Sequence, residues 1–328
     1  MKIFLTGITG FLGRHIAIKC IQNGYTIKAL VRNSDVTAVS MGMNIEVIRG
    51  DLREPSFYNE KINDVDIIIH CATNVEMGAF RNKRQETTNI DAVEELIKVA
   101  KRIKVKRFVY ISSANTLQPG TSNKPGTEKN GTRYRASLLN YIKTKIKAED
   151  KLIKAFKDDL FPVIVLNPTF MLGPESYQLS SMKFIYMAMK NKIVLCPKGG
   201  KNIVDVRDVA EGVVSGIKKG QVGEKYLLCN TNHSYKEILK TISVLSGSKA
   251  PKYNLPNLIG VIIGFSGSLL ELIIRKPIEV NHKSVKILGE SHYYSNEKAH
   301  CELGFTPRKV NETIIDSVNW LKDYGFNK

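Results

Sequence analysis

The chain opens with a short apolar run, Lys2–Leu5, that breaks at once into TGITGFLG. Gly7, Gly10 and Gly13 therefore stand at a strand-to-helix turn, with Thr9, Phe11 and Leu12 between and beside them. Glycine permits the tight turn and lets an anionic ligand approach bare backbone. The helix that follows offers unpaired N–H groups and the positive end of its dipole. A glycine triplet alone is a weak signal. Set between a strand and the helical Phe11–Gln22, it predicts a parallel α/β sheet whose first turn holds phosphates.

The next hundred and fifty residues keep that rhythm. Runs continuous in Val, Ile and Leu predict strands at Lys2–Leu5, Thr26–Val31, Ile45–Ile48, Asp66–His70, Arg107–Ile111 and Val163–Leu166. Strands buried on both faces read this way. Helices are expected between them, notably Phe11–Gln22, Thr87–Lys101 and Ser137–Phe156. The fold class is thus α/β, a doubly wound parallel sheet of Rossmann type over residues 1–172. A smaller C-terminal substrate lobe is expected over 173–328, with residues 203–229 returning in part to the core. Further helices are expected at Leu179–Lys190 and Val209–Lys218, a strand at Lys225–Cys229, and a closing helix at Val310–Asp323.

The bulk properties exclude several classes. Cys20, Cys71, Cys196, Cys229 and Cys301 form no C-x-x-C pair, which fits neither a disulfide framework nor a zinc site. His15, His70, His233, His282, His292 and His300 show no metal-ligand spacing, so no metal is expected. Reduced thiols and the lack of an apolar leader point to the cytoplasm. The net charge of +18 comes from lysines spread along the whole chain, which reads as a solvated surface rather than a nucleic-acid face. Leu258–Ile274 is the most apolar segment. It is short for a bilayer span and is interrupted by Glu271 and three glycines. A helix lining an apolar pocket is expected there, with contact to a lipid interface as the alternative.

A dinucleotide at the first turn needs further contacts. The second strand ends in LVRN, where a carboxylate would grip a ribose 2′-hydroxyl; Arg32 stands there instead, with Asn33 and Ser34 beside it and Asp35 beyond. A guanidinium suits a 2′-phosphate, so NADP(H) is expected over NAD(H). Asp51 and Leu52 follow the third strand, where a carboxylate can meet the adenine amino group. Cys71, Ala72 and Thr73 close the fourth strand beside the ribose.

Y-x-x-x-K places a phenol and an amine one helical turn apart. It occurs at Tyr141/Lys145, Tyr186/Lys190, Tyr294/Lys298 and Tyr324/Lys328. Only Tyr141 follows a strand end, YISSAN, that presents a serine at the carboxyl edge of the sheet, where open α/β sheets bind ligands.

These residues, with NPTFMLGP at 167–174, VDVRDVAEG at 204–212 and YYSNEKAHCELGFTPR at 293–308, resemble the extended short-chain dehydrogenase/reductase superfamily. Within it the chain is similar to the dihydroflavonol-reductase and 3β-hydroxysteroid-dehydrogenase-like group. The resemblance implies that Tyr141 is the general acid and that Lys145 favours its phenolate and holds the nicotinamide ribose. It implies that Ser113 polarises the carbonyl, with Ser112 as the alternative. Asn89 would support the site, and Pro168 and Thr169 would lie against the carboxamide. The resemblance has departures. Epimerases of this branch commonly carry an arginine before V-x-V-x-D-V, where this chain has Lys201 and Asn202. Dehydratases tend to have Thr and acids where it has Ser113-Ala114-Asn115-Thr116.

The expected function is hydride transfer between a nicotinamide and an apolar small-molecule ketone or secondary alcohol. A nucleotide-sugar epimerase using bound NAD is the alternative among enzymes, and a non-catalytic dinucleotide sensor the alternative of another class. The sequence leaves a homodimer open.

Overall fold

The computed structural model describes residues 1–32, 45–133 and 139–324. Its centre is a seven-stranded parallel sheet. The strands are β1 (Lys2–Thr6), β2 (Thr26–Val31), β3 (Ile45–Arg49), β4 (Ile67–His70), β5 (Arg107–Ile111) and β6 (Val163–Pro168), with Lys225–Leu228 at one edge. From that edge the spatial order is Lys225–Leu228, β6, β5, β4, β1, β2, β3. The chain runs outward from β1 to β3 and then returns to β4 on the other side of β1. That reversal opens a crevice between the carboxyl ends of β1 and β4, the place where such sheets bind ligands.

Both faces of the sheet are covered, which is why its strands are apolar throughout. On one face α1 (Phe11–Gln22) packs against Val206–Lys219 over Ile3, Leu5, Ile16 and Val213. On the other, α2 (Ala92–Arg102) and α3 (Asn140–Asp159) cover Phe4, Ile68, Phe108 and Val165. A third apolar cluster, around Leu172, Ile203, Ile238 and Ile314, belongs to the C-terminal lobe. There Gly200–Asp205 pairs antiparallel with Thr231–Ser234 and parallel with Phe170–Leu172 and Ser291–His292.

The VDVRDVAEG segment proves to be a clasp. Asp205 caps the helix Val206–Lys219 by accepting from the Arg207 N–H, and it also pairs with the Arg207 guanidinium at 2.7 Å. One turn on, Asp208 takes the Arg308 backbone N–H at 2.8 Å and its Nε at 2.9 Å. Two motifs a hundred residues apart are thereby joined.

The apolar segment departs from its expected place. The helix Asn257–Ile274 has a mean hydropathy of 1.9, yet only 22% of it is buried. The residues it turns inward are Gly260, Gly264, Ser268 and Glu271, and its Leu, Ile, Val and Phe side chains are exposed. It does not line a pocket with them.

Two glycines separate the strain of the turn from its crowding. A Cβ at Gly13 would stand 2.0 Å from the Gly7 carbonyl oxygen, whereas Gly24, at φ +80°, has nothing within 4 Å. Gly13→Ala is expected to cost about 1–3 kcal/mol in chemical denaturation and to abolish dinucleotide binding by calorimetry. Gly24→Ala is expected to cost about 1–2 kcal/mol and to leave binding unchanged.

Candidate active site

The crevice is built first by backbone. Gly7 has φ +81°, and a Cβ there would fall 2.6 Å from the Ala72 nitrogen, so the ends of β1 and β4 meet only because position 7 is bare. The Thr6 hydroxyl reinforces the junction, bonding His70 Nδ1 at 2.8 Å and accepting from the Ala72 N–H at 3.2 Å. Helix α1 starts at Gly10 with no side-chain cap and no acid in its first turn. Its leading N–H groups thus face the crevice end without an internal anion, which fits a pyrophosphate. Leu12 and Gly13 are buried under this turn, Phe11 is half-buried and Thr9 is exposed. The glycine cradle fits a dinucleotide.

At the adenine end the structure is less simple than the sequence. Asp51 accepts from Arg53 Nε at 3.0 Å and Nη2 at 2.7 Å, and the Arg53 hydrogen bonds hold its carboxyl down to about 2. The carboxylate is ionised but already gripped. Leu52 is buried, its carbonyl taken by Tyr58. Arg32 is exposed at the end of β2, while Asn33, Ser34 and Asp35 lie outside the described residues.

The Ser–Tyr–Lys set comes together where β5 ends. Ser113 Oγ accepts from the Asn115 N–H at 3.2 Å, which leaves its proton free to be donated. Ser112 turns inward to Glu149 and is buried, so the half-buried Ser113 is the serine of the pair beside Tyr141. Burial pushes the Tyr141 phenol up to about 12, and a hydrogen bond with Ser113 opposes the rise. Lys145 is buried, donates to the Ile111 carbonyl at 2.8 Å and lies 4.7 Å from the Tyr110 ring centroid. Desolvation lowers it to about 8. Burial also lifts the Cys71 thiol to about 12 and drops His70 to about 3, so both are neutral next to this amine. Ala72 and Thr73 continue the β4 end, and Pro168 is buried at the end of β6. The Thr169 hydroxyl goes to Asn202 Oδ1 at 2.9 Å. Of the other Y-x-x-x-K pairs, Tyr294 is buried with its hydroxyl on the Leu117 carbonyl, Lys190 lies over the Tyr186 ring, and Lys328 is outside the described residues.

Asn89 sits in a five-residue π-helical segment, Thr87–Asp91, a distortion frequent at functional sites. It is buried. It accepts from the Asn74 N–H at 2.8 Å and from the Thr73 hydroxyl at 3.1 Å, and it donates to Thr144 Oγ1 at 3.0 Å. It therefore ties the loop after β4 to the helix that carries Tyr141.

Two groups escaped the sequence reading. Glu149 is fully buried and accepts from Ser112, Thr116 Oγ1 at 2.7 Å, Asn167 Nδ2 at 2.8 Å and Lys225 Nζ. Its signal was its place two turns after Tyr141 on the same helical face. The second is a cationic pair. Arg133 is 1% exposed, its backbone N–H bonds the Thr116 carbonyl, and its Nε and Nη1 have no partner among the described residues. Its Nη2 meets Glu290. Lys201 lies close enough for Arg133 to help depress its amine to about 8, desolvation being the larger cause. His292 Nδ1, also unpartnered, completes the group.

Known proteins bear this architecture out. Residues 3–229 match the family model described as the NAD dependent epimerase/dehydratase family. Sterol demethylase protein B of Methylococcus capsulatus is 25% identical, the match covering 99% of each chain. The 4-hydroxy-2-methyl-3-oxo-4-farnesyl-3,4-dihydroquinoline-1-oxide ketoreductase of Stigmatella aurantiaca is 23% identical over 97% of this chain and 96% of that protein. The structure of UDP-glucuronic acid 4-epimerase from Bacillus cereus is 18% identical and superposes with a TM-score of 0.77, covering 99% of this chain and 100% of that one.

The expected preference for NADP(H) is corrected. The B. cereus enzyme was solved with NAD, as were similar folds from Bacillus anthracis and Bifidobacterium longum. The physical reason lies at Arg32, whose side chain is exposed, so its charge is screened by solvent and does not by itself form a 2′-phosphate site. With the family model covering the sheet, the crevice and the Ser–Tyr–Lys helix, the chain belongs to the NAD dependent epimerase/dehydratase family, as an NAD(P)-dependent oxidoreductase or epimerase.

Proposed function

We propose that the chain is an NAD-dependent epimerase of a nucleoside-diphosphate sugar. The observation that carries this reading is the cluster of Arg133, Lys201 and His292. Burying a guanidinium with two unpartnered nitrogens is costly unless an anion meets it. Among the described residues the carboxylate beside this pair is Glu290. A diphosphate would satisfy both cations at once. Lys201, a departure from the arginine common in epimerases, regains anion-binding capacity through Arg133. The B. cereus relative, named for epimerising a UDP sugar, supports the same reading.

NAD supplies a reversible acceptor for the hydride of a sugar carbinol. Gly7, Gly10 and Gly13 would hold its pyrophosphate. Tyr141 exchanges a proton with the sugar oxygen, and Ser113, which accepts from Asn115 and keeps its own proton for donation, donates to that oxygen and keeps it in place. A phenol near 12 is too weak an acid–base pair for neutral pH, so a cation must stabilise its anion. Lys145 is one turn away. Of its three donors Ile111 takes one, leaving others for the phenolate and a ribose.

A second reading, reduction of an apolar ketone, rests on the sterol and farnesyl-quinoline proteins similar to this chain over nearly its whole length. The two separate cleanly. Protein supplied with NAD should interconvert nucleotide-sugar epimers with no net change in NADH, while a ketone reductase would consume NADH stoichiometrically with a sterol-type ketone. Consumption with the ketone and no epimer from any nucleotide sugar would overturn the first reading.

In either chemistry Tyr141→Phe should lower turnover by a factor of about 10²–10⁴ with NAD binding intact, and Tyr186→Phe should not. The cationic cluster adds a pH signature. Lys201 is charged below about 8 and loses its proton above it. Affinity for a UDP sugar, measured with NAD saturating, should therefore be highest below pH 8 and fall between pH 8 and 9. Lys201→Met should bind more weakly and lose that slope.

A further inference from the structure

We propose that the helix Asn257–Ile274 is a lipid-docking surface that lies in the plane of an anionic bilayer. This inference is independent of the epimerase reading. A surface helix of a globular protein turns its apolar stripe to the core; this one is inverted. Eleven of its apolar side chains are exposed, and Leu258, Val261, Ile262, Phe265, Leu269 and Ile273 are each 51–71% exposed. At ~100° per residue the eleven together sweep ~220°, about three-fifths of the circumference. The remaining stripe is small or polar and is what binds the helix to the protein. Gly264 lets the backbone of His282 approach, Ser268 Oγ bonds His282 Nδ1 at 2.7 Å, and Glu271 accepts the N–H groups of Ala79, Phe80 and Ile278. The one charge within the helix is therefore held inside, and none stands on its exposed face.

The shape and charge choose the occupant. Both ends are tied to the protein, through the Leu255 N–H on the Cys196 carbonyl before the helix and through Glu271 and the helix His282–Leu288 after it. A segment held at both ends on one side cannot cross a bilayer, and at ~27 Å it is also short of the ~30 Å apolar core. It can lie flat. A convex ridge that is apolar over about three-fifths of its girth is covered by a fluid, whereas a second protein surface reaches one side of it. The flanks supply the sign. Between residues 249 and 286 there are six Lys or Arg against two acids, of which one is the inward Glu271 and the other, Glu279, pairs with Lys183. Lys249 and Lys252 precede the helix, Arg275 and Lys276 follow it, and all four are exposed. Apolar area bracketed by cations is the composition that binds anionic lipid surfaces.

The experiment is flotation of the full chain with vesicles of phosphatidylcholine, alone or mixed with phosphatidylglycerol. The protein should float with the mixed vesicles and far less with phosphatidylcholine alone. Leu269→Glu, at a position 60% exposed, should reduce binding by at least about tenfold, and Arg275→Glu with Lys276→Glu should reduce only the phosphatidylglycerol component. Thermal unfolding and NAD binding of each variant show that the fold is kept. Failure of the unmutated protein to float overturns the proposal, as does flotation indifferent to Leu269→Glu. A dimer in sedimentation that Leu269→Glu splits, with no flotation by either protein, assigns the face to a second copy and overturns it too.

Discussion

Everything at the reacting end of this molecule turns on one buried carboxylate. Taking an ion out of water costs several kcal/mol, about 3–5 kcal/mol being lost again if its partner is removed. Glu149 is tolerated because four donors converge on it, from Ser112, Thr116, Asn167 and Lys225. Those donors come from the end of β5, the turn after it, β6 and the edge strand Lys225–Leu228. One side chain of α3 is thus pinned to three adjacent strands. Because Tyr141, Lys145 and Glu149 repeat every four residues, pinning Glu149 fixes the rotation of the helix and delivers the phenol and the amine to the crevice. The same carboxylate turns Ser112 inward and leaves Ser113 as the half-buried serine beside Tyr141.

The crevice depends on a different economy, that of missing atoms. Gly7 and Gly13 create a space that no side chain could share, and α1 begins there with its N–H groups uncapped. The titratable groups beside Lys145 are kept neutral by burial, His70 low and Cys71 high. Around Arg133 the logic reverses. Arg133 and Lys201 are both cations in a dry setting, and each raises the cost of the other. The crevice is shaped by absent side chains, the Arg133 cluster by charge.

What the sequence disclosed follows from how local each signal is. The glycine turn, the continuous apolar strands and the YISSAN–Tyr141–Lys145 order are properties of short segments, and the sheet with its crevice could be read from them. Glu149 could be seen on the helix face but not explained, because its partners lie up to 76 residues away. The Arg133–Lys201 pair spans two lobes and left no mark beyond a lysine where an arginine is common. Arg32 misled because charge at a strand end was read without its exposure, which leaves it screened by solvent.

The apolar segment shows the limit most plainly. Hydropathy states that Leu258–Ile274 must be covered, and the burial of one Leu or Ile is worth about 1.5–3 kcal/mol. It does not state by what. The deciding residues are the ones hydropathy ignores: Gly260, Gly264, Ser268 and Glu271, spaced along one stripe, allow close backbone approach and inward hydrogen bonds, and so turn every large side chain outward. Glu271 carries the consequence further. Its carboxylate holds the backbone of Ala79 and Phe80, and Asn281 and Lys283 grip the carbonyls of Met77 and Ala79 beside it. That loop leads into Gln85 and Asn89, which bond Asn140 and Thr144 on either side of Tyr141. The exposed helix and the helix that carries Tyr141 are therefore joined through one hydrogen-bonded loop.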